Sequence, residues 1–322
     1  MKNSQFLLAV ILLFLVSGCN AGANANAVKE PEYREDISVE VHFCPKENCT
    51  KIILNKMNVA EKSLHCAFFE LDSGEIIKAI AKKSHSAEVK VVIDKGNYEG
   101  QIKGNVRLAE SRQYMHNKFC IIDKSIVITG STNPTYNGLN HNNENTVIIK
   151  SAYIAENYED EFDELWNGVY SSGDKVKYEK IFSDTLVVEN YFCPEDDCAE
   201  KVIKALSEAE HNIYFMTFSF TDEGIADAML FSRADIKGVF ESRGSETEYS
   251  QYPRLKGFGI DVVKDKNPRT MHHKVFIIDN KTVITGSYNP TGSGNRLNDE
   301  NVLIIENREI ASMYLKEFES LR

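Results

Sequence analysis

Two histidines, His116 and His272, each head the same run of polar residues. From each, a lysine follows at +2 (Lys118, Lys274), an aspartate at +7 (Asp123, Asp279), a serine at +15 (Ser131, Ser287) and an asparagine at +17 (Asn133, Asn289). The surrounding stretches, MHNKFCIIDKSIVITGSTNPT at 115–135 and MHHKVFIIDNKTVITGSYNPT at 271–291, agree at 14 of 21 positions without a gap. An imidazole can attack an electrophile or carry a proton near neutral pH. Together with it, an ammonium, an amide and a hydroxyl from each copy would wrap an anion that offers several oxygens, and phosphate fits that description. A metal centre fits less well. A lysine two residues from each histidine repels a cation, the extra His273 is Asn117 in the first copy, and no H-x-x-H or H-E-x-x-H spacing occurs.

On a strand, H-x-K sends His and Lys to the same face, because side chains alternate. The aspartate, five residues beyond the lysine, then falls on the opposite face. Asp123 and Asp279 complete the motif and so belong to the candidate catalytic set. Their parity nevertheless predicts that they brace a strand end or the interface between the copies. Gly130 and Gly286, just before the serines, permit a tight turn with close backbone approach.

The duplication reaches well beyond the motif. Each copy reads as a short apolar strand, a Cys-Pro loop (FCPKENC, FCPEDDC), an amphipathic helix and a β-rich run. A second helix, more strands and a closing helix follow. Strands interleaved with helices predict an α/β fold. The expected domains are 37–166 and 185–322, joined by a connector at 167–184 with turn and breaker residues. Two such domains are expected to meet about a pseudo-two-fold axis, as an internal pseudo-dimer within a monomer. A net charge of −11 argues against a nucleic-acid grip spread over the whole surface, though not against a local basic groove. Lys95, Lys103, Arg107 and Arg112 precede the first motif and Lys264, Lys266 and Arg269 the second. With Tyr114, Tyr249 and Tyr252 as stacking platforms, they are the expected lining of such a groove.

The first 19 residues read as an export signal, with Lys2 ahead of an apolar run, Phe6 to Val16, that is too short to span a bilayer. The run ends in LVSGC, which resembles a lipobox, so Cys19 is the expected lipidation site and 20–36 the tether. This predicts an exported protein held by a lipid anchor on the extracytoplasmic side of the membrane. An oxidising compartment suits local disulfides Cys44–Cys49 and Cys193–Cys198. Cys66 and Cys120 lie in apolar runs where the second copy has Phe215 and Phe276, and are expected as free core thiols.

H-x-K-x-x-x-x-D followed by G-S-x-N, complete and present twice, resembles the signature of the phospholipase D superfamily. The resemblance implies two tandem α/β/α sandwich domains around mixed sheets, with both motifs at one site. It implies hydrolysis of a phosphodiester through a phosphohistidine, with His116 as nucleophile and His272 as acid and base. Lys118, Lys274, Asn133 and Asn289 would stabilise the phosphoryl oxygens, so no metal or other cofactor is called for. A downstream carboxylate bonded to a catalytic histidine also recurs in the family. Glu144 and Glu300, each 28 residues after a histidine, match it. Whether each serves its own histidine or the other copy's stays open. The compact halves resemble the nuclease-like branch, with phospholipid as the alternative substrate.

Overall fold

The central strands of both copies are continuous apolar runs, KFCII at Lys118–Ile122 and KVFII at Lys274–Ile278, buried at every position. Such runs need cover on both faces, and the computed structural model, which describes residues 32–322, supplies it. The export-signal reading, the lipobox Cys19 and most of the tether lie outside the described residues.

Seven strands of the first copy form one mixed sheet. Their spatial order is Ser38–Cys44, Glu144–Lys150, Ile126–Gly130, Lys118–Ile122, Ser63–Phe68, Glu88–Asp94 and Val106–Ala109. The second copy repeats that order with Val187–Cys193, Glu300–Glu306, Thr282–Gly286, Lys274–Ile278, Asn212–Thr217, Asp235–Phe240 and Asp261–Lys264. Two further strands extend this second sheet at its edge: Lys180–Phe182 from the connector, and Tyr33–Arg34, which pairs parallel to it. The last residues of the expected tether are therefore part of the fold.

Strand parity sorts the core. Cys66, Cys120 and Ile122 face the helices Cys49–Asn58 and Gly74–Lys83, while Ala67, Phe119 and Ile121 face the other way. Against that second face lies the helix Ala152–Asn167, and its counterpart Arg308–Leu321 does the same for the second sheet. Their Tyr158, Phe162, Tyr314 and Phe318 enter one apolar core shared by both copies. Matching caps start these helices: Ser151 Oγ accepts from Ile154 N at 3.0 Å, and Asn307 Oδ1 accepts from Ile310 N at 2.9 Å. Mixed sheets with helices on both faces, repeated twice, are the expected α/β/α class.

Disulfides Cys44–Cys49 and Cys193–Cys198 form as expected. The expectation for Cys66 and Cys120 is corrected. They are buried, yet they are bonded to each other, because their strands are antiparallel neighbours that place them directly opposite. Phe215 and Phe276 face each other at the same register in the second sheet. The Cys66–Cys120 bridge spans 54 residues of chain and each local bridge 5. Loop entropy makes the long bridge worth about 4 kcal/mol and a local one about 2 kcal/mol. Urea unfolding of a Cys66→Ala/Cys120→Ala protein is expected to show the larger loss, against Cys44→Ala/Cys49→Ala.

Candidate active site

The two copies cross at their backbones. Met115 bridges to Asp299 and Met271 to Asn143, so the segment leading to each histidine runs beside the segment leading to the other copy's glutamate. His116 N donates to Asp299 O and His272 N to Asn143 O, both at 2.9 Å. Gly130 and Gly286 close the neighbouring turns with φ of 123° and 138°. A Cβ on either would stand 2.3 or 2.2 Å from the carbonyl oxygen of Asn145 or Asn301, so only glycine fits.

This crossing decides the partnership left open above. His116 Nδ1 bonds Glu300 Oε2 at 2.7 Å, and His272 Nδ1 lies 2.9 Å from both oxygens of Glu144. Each histidine is thus oriented by the other copy's carboxylate, with Nε2 left for substrate. Ser131 Oγ donates to Glu144 and Ser287 Oγ to Glu300, both at 2.7 Å, and each serine also accepts the next backbone N–H, from Asn145 or Asn301. Both serines are wholly buried. The expectation that they bind phosphate is therefore corrected: they hold the glutamates.

The lysines do lie beside the histidines. Lys118 Nζ donates to His116 O at 2.5 Å and Lys274 Nζ to His272 O at 2.9 Å. Each ammonium also stands over a ring, Phe69 at 5.0 Å and Phe218 at 4.9 Å. The same two rings meet the imidazoles edge-on, at 4.6 and 4.7 Å. Phe69 and Phe218 were missed from sequence, although they occupy matching positions in FFEL and FSF. Asn133 and Asn289 line the cleft, and among the described residues their buried side-chain oxygens have no protein partner.

Asp123 and Asp279 sit elsewhere, as parity predicts and against their place in the catalytic set. Asp123 accepts from the backbone N–H groups of Glu61, Lys62 and Ser63, and Asp279 from those of Glu210, His211 and Asn212. Each staples the start of a neighbouring strand. Burial opposes the charge, but these three bonds prevail and hold both carboxyls below the usual aspartate range.

His116 and His272 open onto one cleft of about 790 Å³. From the histidines it runs mainly over the second copy, past Ser219, Glu241, Arg243 and Thr247. Lining on the first side includes Glu70, where the second copy has Ser219. The expected basic residues do not line it. Lys95 pairs with Glu110 at 2.7 Å and Lys264 with Glu246, while Tyr252 is buried. Arg243, which sequence reading missed, does line the cleft, as does Tyr114.

Burial sets the protonation of the site. It pushes Glu144 up to about 8 and Glu300 up to about 7, and Lys118 down to about 8 and Lys274 down to about 7. Burial first, then the two ammoniums, pushes both imidazoles well below the usual histidine value. A neutral imidazole with Nδ1–H on a carboxylate presents a lone pair at Nε2.

A family model described as cardiolipin synthase, PLD-like domain, matches residues 53–166 and again 202–322. The chain belongs to the phospholipase D superfamily. It is a two-copy phosphodiesterase of that superfamily, both copies carrying the motif within one compact unit. The phospholipase D of Rickettsia felis is 36% identical over 153 residues, which are 45% of this chain and 75% of that protein. The mitochondrial cardiolipin hydrolase of Xenopus tropicalis is 31% identical over 137 residues, 40% of this chain and 64% of its own length. Phosphatidylserine synthase from Haemophilus influenzae superposes over 87% of this chain and 85% of its own, with a TM-score of 0.65 and 11% identity. That likeness is one of fold.

Proposed function

We propose that the chain hydrolyses phosphodiesters in two steps through a phosphohistidine on His116, without a metal ion, and that its substrates are nucleic acids. Nε2 of His116 attacks phosphorus while the bond to the leaving oxygen breaks and His272 gives that oxygen its proton. Water then attacks the phosphohistidine as His272 takes a proton from it, and the P–N bond breaks. The crossed His–Glu pairs carry this reading, since they fix two imidazoles in one cleft with their Nε2 atoms free. The bound phosphodiester anion opposes the effect of burial and favours a protonated His272 with ionised carboxylates. The two ammoniums and the imidazolium then outweigh the two carboxylates by one charge. The phosphodiester anion balances that charge, so the lysines do the electrostatic work often given to a metal. The cleft extends mainly over the second copy, and room there for a leaving group beside His272 supports His272 as the acid.

For the substrate class, the support is an open cleft bearing Tyr114 and Arg243, with Tyr249 71% exposed next to the cleft-lining Ser250. Exposed tyrosines stack on bases of any sequence. Phospholipid is the second reading, favoured by the names of the relatives that are more than 30% identical. Purified protein in EDTA, assayed on single-stranded DNA and on phosphatidylcholine or cardiolipin vesicles, separates the two. Nucleic-acid cleavage is expected; turnover on vesicles alone would replace the substrate class, and turnover that appears only with added Mg²⁺ or Zn²⁺ would overturn the mechanism.

We also propose an extracytoplasmic, lipid-anchored location, supported by the lipobox-like LVSGC and agreeing with three disulfides. Palmitate label incorporated in cells is expected to vanish in Cys19→Ala; label that persists would refute the anchor.

A further inference from the structure

The pseudo-two-fold gives each residue near the axis a counterpart, and one pair of counterpart sites differs in charge. In the first site, Lys46 of the FCPKENC loop reaches the helix Arg308–Leu321. Its Nζ donates to Glu317 Oε2 at 2.5 Å and to Ser320 Oγ, and His273 Nε2 lies 3.5 Å from Glu317 Oε1. Alignment of the copies (Cys44 with Cys193, Tyr158 with Tyr314, Phe162 with Phe318) turns these residues into Glu195, Glu161, Glu164 and Asn117. Where one site has an ammonium, a carboxylate, a hydroxyl and an imidazole, the other has three carboxylates and an amide.

One oxygen from each of Glu161, Glu164 and Glu195 lies within 4.8 Å of the others. Asn117 Nδ2 donates to Glu161 Oε1 at 3.0 Å, and Asp174 N donates to Glu164 Oε1 at 2.9 Å. Asp299 lies outside that 4.8 Å group but near enough for its charge to act on Glu161 and Glu195, and it is 3% exposed; its Oδ1 accepts from Ser171 N at 2.5 Å and its Oδ2 has no partner among the described residues. The loop 171–174 ties Asp299 to the glutamates, and Gly173 packs so closely that a Cβ would meet the carboxylates of both Glu164 and Glu195. Burial first, then neighbouring charges that include Asp299, pushes Glu161 up and Glu195 up to about 7. Among the described residues no lysine, arginine or histidine pairs with any of the four. The counterpart Glu317, by contrast, has both Lys46 and His273.

We propose that Glu161, Glu164 and Glu195, with Asp299 beside them, form a binding site for one hard divalent cation, calcium, which occupies the place that the Lys46 ammonium fills in the other copy. Calcium takes six to eight oxygens at about 2.3–2.6 Å, so oxygens across one ion stand up to about 5 Å apart, and the observed spacing fits. Lining by carboxylates without nitrogen or sulfur selects such an ion over zinc or copper. The site is structural. It braces Asn117, between His116 and Lys118, and Asp299, next to Glu300, from the side away from substrate.

Titration of the full-length protein, after EGTA treatment, with CaCl₂ alone tests this. One calcium per chain is expected, with a rise of about 4 °C in Tm at saturation. Glu195→Lys copies the other site; it is expected to lose calcium binding and to melt in EGTA at least as high as the calcium-loaded parent. Should that variant fail to fold, Glu164→Gln, at a partly exposed position, is expected to weaken binding at least about ten-fold. No binding by the parent at millimolar calcium, or unchanged binding in Glu195→Lys or Glu164→Gln, would overturn the site. The chemistry stands apart from it: Glu195→Lys is expected to turn over in EDTA, so a failed calcium titration leaves the phosphohistidine reading untouched.

Discussion

His116→Ala is expected to lower turnover by about 10⁴-fold or more on every substrate, because it removes the proposed nucleophile. His272→Ala should behave differently, and the difference identifies the roles. With bis(p-nitrophenyl) phosphate the leaving group needs no proton, so the first displacement can still run without an acid. The second cannot, since the water has lost its base. The expected result is release of about one equivalent of p-nitrophenol followed by a stall, with a p-nitrophenyl phosphoryl group found on the His116 peptide by mass spectrometry. A burst in His116→Ala and none in His272→Ala would exchange the two roles. Steady turnover in either variant would remove the covalent pathway.

Lys118→Met and Lys274→Met carry the next largest effect, a loss of about 10²–10³-fold in kcat for each. Both ammoniums are buried, held by the carbonyl of their own histidine and by a phenyl face. Methionine fills that space without the charge, so the loss reports electrostatics more than packing. Arginine is not expected to rescue, since a planar fork does not fit where a point charge meets one carbonyl and one ring. Burial also places a limb in the pH profile. Lys274, pushed down to about 7, is charged below that pH and neutral above it, so kcat/KM should fall as pH rises through that region. Bound phosphate draws the lysine pKa back up, so the matching fall in kcat is expected at higher pH. A kcat within ten-fold of the parent for either methionine variant would refute the assigned role.

Much of this site is legible in the sequence because duplication makes spacing informative twice. H-x-K and the +28 glutamate pick out the residues that meet, and parity alone sends Asp123 and Asp279 away from them. Docking is what the sequence does not carry. Whether Glu300 serves His272 or His116 depends on how two halves cross, and that is a tertiary fact. Cys66 and Cys120 show the same boundary: their apolar counterparts reveal burial, but bonding depends on which strands are neighbours. The serines failed for a local reason. A hydroxyl after the turn glycine can face phosphate or the adjacent strand, and here the glutamate wins it. The basic groove failed because lysines close to a motif in sequence can pair off on the surface, as Lys95 does with Glu110.

The crossed carboxylates also bear on what a single polypeptide permits that a pair of identical subunits does not. In a self-paired dimer every replacement appears twice, so the nucleophile and the acid must share one compromise environment. With both copies on one chain, a replacement alters one side alone. Glu70 opposite Ser219, Asn117 opposite His273 and Glu195 opposite Lys46 are departures of that kind, all close to the chemistry or directly behind it. Two imidazoles that began as equals can in this way be specialised independently, each one tuned by a residue that its twin does not have.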